Sequence, residues 1–267
     1  MKQIWERLER IAGTYGKTLA LRPGLDEPTI AAAENKLGMR FPADYRASLL
    51  LHDGQEDEVA TFEWLPGCCP LKPLANVLER WDEEQPLAEE FADPTNKTEG
   101  PLHTVVWHPR RIPIAGTQYW DGDNSYVDLH PSAAGTPGQI ITFHTECDLV
   151  CLGASLRDAL ERYLAALDSG DWVYSETKKF VMPKDEPPDS YPNESYAFWK
   201  YLQRDKPAAP ANKKRMPSAA KKPVKKPPPK KTAKKPAAKK TAKTPAAKKP
   251  AAKTPAKKTT AKKQRAR

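Results

Sequence analysis

From Lys206 to Arg267 the chain has no Asp or Glu and no Phe, Trp or Tyr, and Met216 and Val224 are its only large apolar side chains. Such a segment cannot bury enough surface to offset the entropy of ordering, so it is expected to be disordered. Nowhere is there a run of about 18 apolar residues, which excludes a membrane-spanning helix. The opening MKQIWERLERI carries Glu6 and Glu9 inside its apolar stretch and reads as an amphipathic helix, not a signal peptide. Cysteine is scarce, at 68, 69, 147 and 151 only. A disulfide framework is not expected, and the thiols read as reduced in a cytoplasmic setting. No G-x-S-x-G, P-loop or H-E-x-x-H occurs. The expectation is a non-enzyme without a cofactor.

What the chain has in abundance is unevenly placed charge. Its 267 residues hold 44 Lys and Arg against 34 Asp and Glu. The segment 206–267 holds 21 Lys and 3 Arg, a net +24, which leaves 20 basic and 34 acidic residues, a net −14, for 1–205. An acidic body is joined to a basic tail, and each needs its own account. The body is long enough for one good core, since a domain of roughly 150–200 residues buries about 70% of its unfolded surface.

Along the body, Trp5, Leu8 and Ile11–Ala12 recur at helical spacing and predict a helix over about 2–14. LRPGLDEP breaks it. Asp26 then reads as an N-cap with Glu27 and Pro28 in the first turn, and Gly38 as the stop. A third helix starts at Pro42 and ends at HDG, with Gly54 in the left-handed region. TFEWLPG (61–67) suggests a short strand and turn, and PLANVLERWDEE (73–84) a helix. HTVVWH, RRIPIAG, SYVDLH, GQIITFH and DLVCLG, between 103 and 153, are short β-branched or aromatic runs separated by turn residues. Ser155 caps a last helix with Leu156, Leu160, Tyr163, Leu164 and Leu167 as its buried stripe. The class is α+β. NESYAFWKYLQ (193–203) suggests one more short helix, either packed on the domain or standing free.

Few chemical motifs stand out. His144, Cys147 and Cys151 have ligand-like spacing, and Cys68–Cys69 could complete a metal site. Cysteine in or beside an apolar strand is more simply a core residue, so no metal is expected. DGDNS (121–125) resembles the start of a calcium loop, but Tyr126 and Ser132 stand where such a loop needs Gly and Glu, so it reads as a turn. His52–Asp53 invites an acid–base reading but sits at a helix end. The aromatics offer more. Trp64, Trp107, Tyr119 and Trp120 fall near strand ends and turns. Trp64 and Trp107 are as readily core residues. Tyr119–Trp120 runs directly into acids and reads as a protein-binding spot. The candidate partner-binding residues are therefore Trp64, Tyr119, Trp120, Asp121 and Asp123, and the acidic body favours a basic protein partner.

The stretch LRPGLDEPTIAAAENKLGMRFPADYRASLLLHDGQ (21–55) is recognisable. Its proline–glycine opening, acid-capped Ala-rich helix, L-G stop, hydrophobic–Pro–x–Asp–Tyr helix start and Leu-rich run closing on HDGQ resemble the SUKH superfamily, the Smi/Knr-like cell-wall-regulator and immunity domain. RRIPIAG, the turn before SYVDLH, GTPGQIITFH and a closing helix follow in the family's order. The resemblance covers roughly 20–170. It implies an α+β fold without catalysis that binds other proteins, as toxin-neutralising immunity proteins or as regulatory scaffolds. The expected organisation is a SUKH-like domain over 1–175, a linker with a possible short aromatic helix over 176–205, and a disordered Lys/Ala/Pro-rich tail over 206–267.

The tail, KKTAKKPAAKKTAKTPAAKKPAAKTPAKKTTAKK, is similar in character to linker-histone C-terminal tails. Lysine pairs recur among Ala, Thr and Pro, and the prolines keep the chain extended. Compact ammonium charges suit phosphates, not base edges. The expected contacts to DNA or another polyanion, independent of sequence, are Lys221, Lys222, Lys225, Lys226, Lys230, Lys231, Lys234, Lys235, Lys239, Lys240, Lys248, Lys249, Lys257 and Lys258. Thr244 and Thr254, each in a KTP triplet, resemble proline-directed phosphorylation sites. The leading reading is a protein-binding module held on DNA by its tail, associated with the nucleoid, or nuclear in a eukaryote. The other is an architectural DNA-binding protein in which the tail is the activity.

Overall fold

A computed structural model describes residues 1–120, 123–143, 149–187 and 193–204. It is α+β, as the sequence leads one to expect. Helix α1 (Lys2–Thr14) turns Trp5, Leu8 and Ala12 inward, and the Trp5 indole N–H donates to Ser48 Oγ at 2.9 Å. Helix α2 (Glu27–Leu37) begins where Asp26 accepts from the Thr29 amide at 2.9 Å and stops at Gly38, with φ 65°. Helix α3 (Ala43–Leu49) follows Pro42. Helix α4 (Leu74–Glu90) runs past the expected end at 84 and through Pro86. Ala88 is buried beyond the proline, and Glu84 is clasped by Arg80 at 2.9 Å and by the Tyr126 hydroxyl at 3.2 Å. That packing offsets the lost helix hydrogen bond.

A small hairpin, β1 (Thr98–Glu99) with β2 (Leu102–His103), precedes the main sheet. The sheet is an antiparallel meander of β3 (Arg111–Ala115), β4 (Asn124–Asp128), β5 (Gln139–Phe143) and β6 (Leu149–Gly153) in chain order. Ile112, Ile114, Val127, Ile140, Val150 and Leu152 enter the main core. Tyr126 and Ile141 face the other side and meet Leu102. Helix α5 (Leu156–Ser169), capped by Ser155 Oγ on the Asp158 amide at 3.1 Å, closes the main core with Leu160, Tyr163 and Leu164. Among the described residues no helix is long and apolar enough to cross a membrane.

Two expected strands are not strands. Of HTVVWH only His103 pairs, as the last residue of β2. The reason is Arg111, a charged residue with 1% exposure. Its guanidinium donates to the carbonyls of His103 at 2.9 Å, Val106 at 3.1 Å and Val105, and to Asp128 at 3.3 Å. These bonds gather 103–106 around a side chain instead of a strand. TFEWLPG is likewise irregular, and Glu63 organises it by accepting from the amides of Gly67 at 3.0 Å and Val181 at 2.8 Å.

The expected boundary at 175 is corrected by the fold. Strands β7 (Trp172–Tyr174) and β8 (Val181–Pro183) form a hairpin, and helix α6 (Glu194–Gln203) packs on the domain. Phe198 of α6 is fully buried, with its ring 5.2 Å from Trp172 and 5.9 Å from Tyr163. Residues 176–187 and 193–204 thus belong to the folded body, not to a linker. The expected tail, 206–267, lies outside the described residues.

Glu63 lends this end of the body a pH dependence. Burial pushes its carboxyl up from 4.5 to about 8, with Glu194 adding to the shift against the two amides. The folded state then keeps a proton that the unfolded state has lost, so stability falls as pH rises from about 4.5 to about 8, by at most about 1.4 kcal/mol per unit. Glu63→Gln removes the titration. Urea unfolding at about pH 5 and about pH 8 is expected to show the variant gaining on the parent as pH rises. An equal pH slope in both would contradict this account.

Candidate functional site

The HDGQ loop builds one wall of a cleft, and each of its residues has a structural task. His52 Nδ1 lies 3.3 Å from the Arg22 carbonyl. Asp53 accepts from the Leu74 amide at 2.7 Å and so ties the loop to the start of α4. Gly54, with φ 75°, passes so close to Lys72 that a Cβ would stand 2.6 Å from that residue's carbonyl carbon. Gln55 spans the interior, donating to the Leu19 carbonyl at 2.8 Å and accepting from the Leu71 amide at 3.0 Å. His52 Nδ1 and Asp53 Oδ1 thus both face backbone groups.

The facing wall is the corner between β3 and β4. Trp120 has φ 54°, left-handed for a bulky residue. Its ring lies so close to Gly116 that a Cβ there would stand 2.3 Å from Trp120 Cε3. The Arg80 guanidinium sits over the indole, 5.6 Å from its centroid. The indole is held in place, and Tyr119 is directed outward with 76% of its surface exposed. Between the walls lies a cleft of about 280 Å³, lined among others by Arg22, Glu56, Asp57, Lys72, Gln118 and Trp120. Lys72 is buried and paired with Asp57. Charges of both signs beside an aromatic rim suit recognition of a polar peptide surface.

The structure thus places Trp120 in the lining of the cleft, and the exposed Tyr119 lies between Gln118 and Trp120 in the chain. Asp123 stands half-buried at the start of β4, and Asp121 lies outside the described residues. Trp64 is corrected: it has no exposed surface, and its indole N–H donates to the Cys69 carbonyl at 2.8 Å. A side chain without accessible surface cannot contact a partner, so Trp64 is a core residue. Trp107 is half-buried against Phe91, with ring centroids 5.2 Å apart. Arg22, Asp57, Lys72 and Gln118 carried no signal in the sequence, because the cleft is assembled from segments far apart in the chain.

Among the described residues no group of three or more His, Cys, Asp or Glu is arranged to hold an ion. Burial raises the Cys68 thiol strongly and pushes Cys69 up to about 11, which disfavours the thiolate a metal needs. His144 and Cys147 lie outside the described residues. Ser125, in the supposed calcium loop, lies buried within the sheet with its hydroxyl 3.3 Å from Thr142 Oγ1. The fourteen tail lysines from Lys221 to Lys258 also lie outside the described residues.

Comparison with known proteins gives the body a context. The chain is 26% identical over 193 residues to the "Cell wall biosynthesis/cell cycle regulator smi1" of Schizosaccharomyces pombe, an alignment covering 66% of this chain and 38% of that protein. It is 24% identical over 216 residues to the "Glucan synthesis regulatory protein" of Neurospora crassa, covering 64% of this chain and 39% of that one. The chain thus spans well under half the length of these two relatives, both of which are named as regulators. The model of the SMI1/KNR4 family (SUKH-1) matches residues 24–174, a span that includes the HDGQ wall, the four-stranded meander and the Tyr119–Trp120 corner. By that match, over more than half of its length, the chain belongs to the SMI1/KNR4 (SUKH-1) family.

Proposed function

We propose that the protein is a non-enzymatic protein-binding module, of regulatory or immunity-like type, held on DNA or another polyanion by its basic C-terminal segment. The observation that carries the first half is Tyr119, exposed next to Gln118 and Trp120 of a cleft that Gln55 of the HDGQ loop also lines. The naming of two relatives as regulators supports it. The second half rests on the +24 of residues 206–267 against the −14 of the body. The same charge split favours the second reading, an architectural DNA-binding protein in which the body only spaces or pairs the tails.

Tyr119→Ala separates surface from scaffold. Its side chain is exposed, so unfolding free energy should change by no more than about 0.5 kcal/mol. Affinity for a protein partner captured by the body should fall about thirtyfold, corresponding to a hot-spot loss of about 2 kcal/mol. Calorimetric titration with that partner checks it. Unchanged affinity would remove the corner from the interface.

A further inference from the structure

Three of the five histidines form a column at the other end of the main sheet from the cleft. The His130 ring, just after β4, is sandwiched. The His103 ring lies on one side with centroids 4.4 Å apart and planes 14° from parallel, and the His108 ring on the other at 3.8 Å and 3°. The column covers the Arg111–Asp128 pair, whose side chains are fully buried. Asp128 also accepts from the His130 amide at 2.9 Å and from Gln139 at 2.9 Å. His108 Nδ1 accepts from the Arg110 amide at 3.1 Å, which requires that nitrogen to be unprotonated. His103 Nδ1 is buried without a hydrogen-bond partner.

A proton has no good place on His108 or His130. The charged groups acting on it are Arg110, Arg111 and Asp128, and the single acid is already paired with Arg111. Helix α4 meets the segment through the Trp81 indole, which donates to the Pro109 carbonyl at 2.9 Å and carries no charge. Protonation of His108 at Nδ1 would break its bond from the Arg110 amide. Protonation of His130 would set a cation between two imidazoles and near two arginines.

We infer that the His103–His130–His108 column is an acid-operated latch: proton uptake unstacks the rings and releases residues 103–110 from the body. Neutral rings stack and hold, whereas charged rings repel one another and Arg111. The released segment carries Trp107 and Pro109, which contact Phe91 and Trp81, so acidification uncovers aromatic surface along α4. Burial, together with the neighbouring cations, lowers both His130 and His108, the latter from 6.5 to about 4. With the folded value depressed, the closed latch is fully stable above about 6.5 and loses stability as pH falls from there toward about 4.

Hydrogen exchange on the full-length protein at about pH 7.5 and about pH 5, corrected for the intrinsic pH dependence of amide exchange, tests the latch. The amides of Thr104, Arg110 and Arg111 should lose protection tenfold or more at the lower pH, reversibly, while β5 and α5 stay protected. His130→Phe keeps a stacking ring that cannot be charged, and the loss should disappear. His108→Phe serves the same purpose if thermal melting shows the first variant to be unfolded. Protection retained in the parent at the lower pH would overturn the proposal, as would an equal loss in a folded phenylalanine variant.

Discussion

Cutting the chain after residue 205 is expected to abolish duplex DNA binding while the body stays folded. The removed segment carries 21 Lys, 3 Arg and no acid, and the retained part is at −14, which repels phosphate. If about ten lysines engage phosphates, each releases counterion and the log–log salt slope of the intact protein is about −9. Affinity should then fall by roughly 10⁵ between about 50 and 200 mM salt. Little dependence on DNA sequence is expected, because ammonium groups on an extended chain meet the backbone and carry no base-edge geometry. A fluorescence-anisotropy titration across a salt series, with intact and truncated chains, reads both quantities. Binding retained by the truncated chain would place the DNA contact on the body, against its charge.

Phe198→Ala should destabilise the body by about 3–5 kcal/mol. The ring is fully buried between Trp172 of β7 and Tyr163 of α5, and Tyr201 stacks 6.2 Å away. Truncation leaves a cavity in a contact that ties the C-terminal helix to the main core, and little in a well-packed cluster can move to fill it. Helix α6 is also held by its own cap, Asn193 Oδ1 on the Tyr196 amide at 2.9 Å, but a ten-residue helix is marginal without tertiary packing. Urea unfolding of the full chain measures the loss. A change below about 1 kcal/mol would mean that α6 is an appendage and that the body ends near the family match at 174.

Sequence periodicity and end signals located what is local. Asp26, Gly38 and Ser155 mark helix ends by their own chemistry, and the turn residues between 103 and 153 separate four strands that pair with their neighbours in the chain. What escaped is what depends on distant partners. The aromatics of 193–203 gave no direction, because the surface that receives Phe198 is made by residues 163 and 172. Nothing local marks Arg111 for burial, and it is Asp128, seventeen residues on, together with three carbonyls, that makes its burial tolerable. Trp64 stands among the partner-binding candidates in the sequence although core is the simpler reading, and its buried N–H finds an acceptor in Cys69. At the candidate site the Tyr119–Trp120 pair drew notice from its place in a turn, and of the two only Tyr119 is exposed. The basic and acidic cleft residues did not, since Arg22, Glu56–Asp57 and Lys72 converge from three separate segments.

The central claim is that body and tail are separable binding elements, with the Tyr119 corner serving the body. The most direct test is quantitative mass spectrometry of proteins captured from nuclease-treated extract of the source organism by three baits: the intact chain, 1–205, and 1–205 with Tyr119→Ala. A set of proteins retained by both unsubstituted baits and depleted about tenfold or more by Tyr119→Ala is the predicted result. The same set held equally by all three baits, or captured only when residues 206–267 are present, would contradict it.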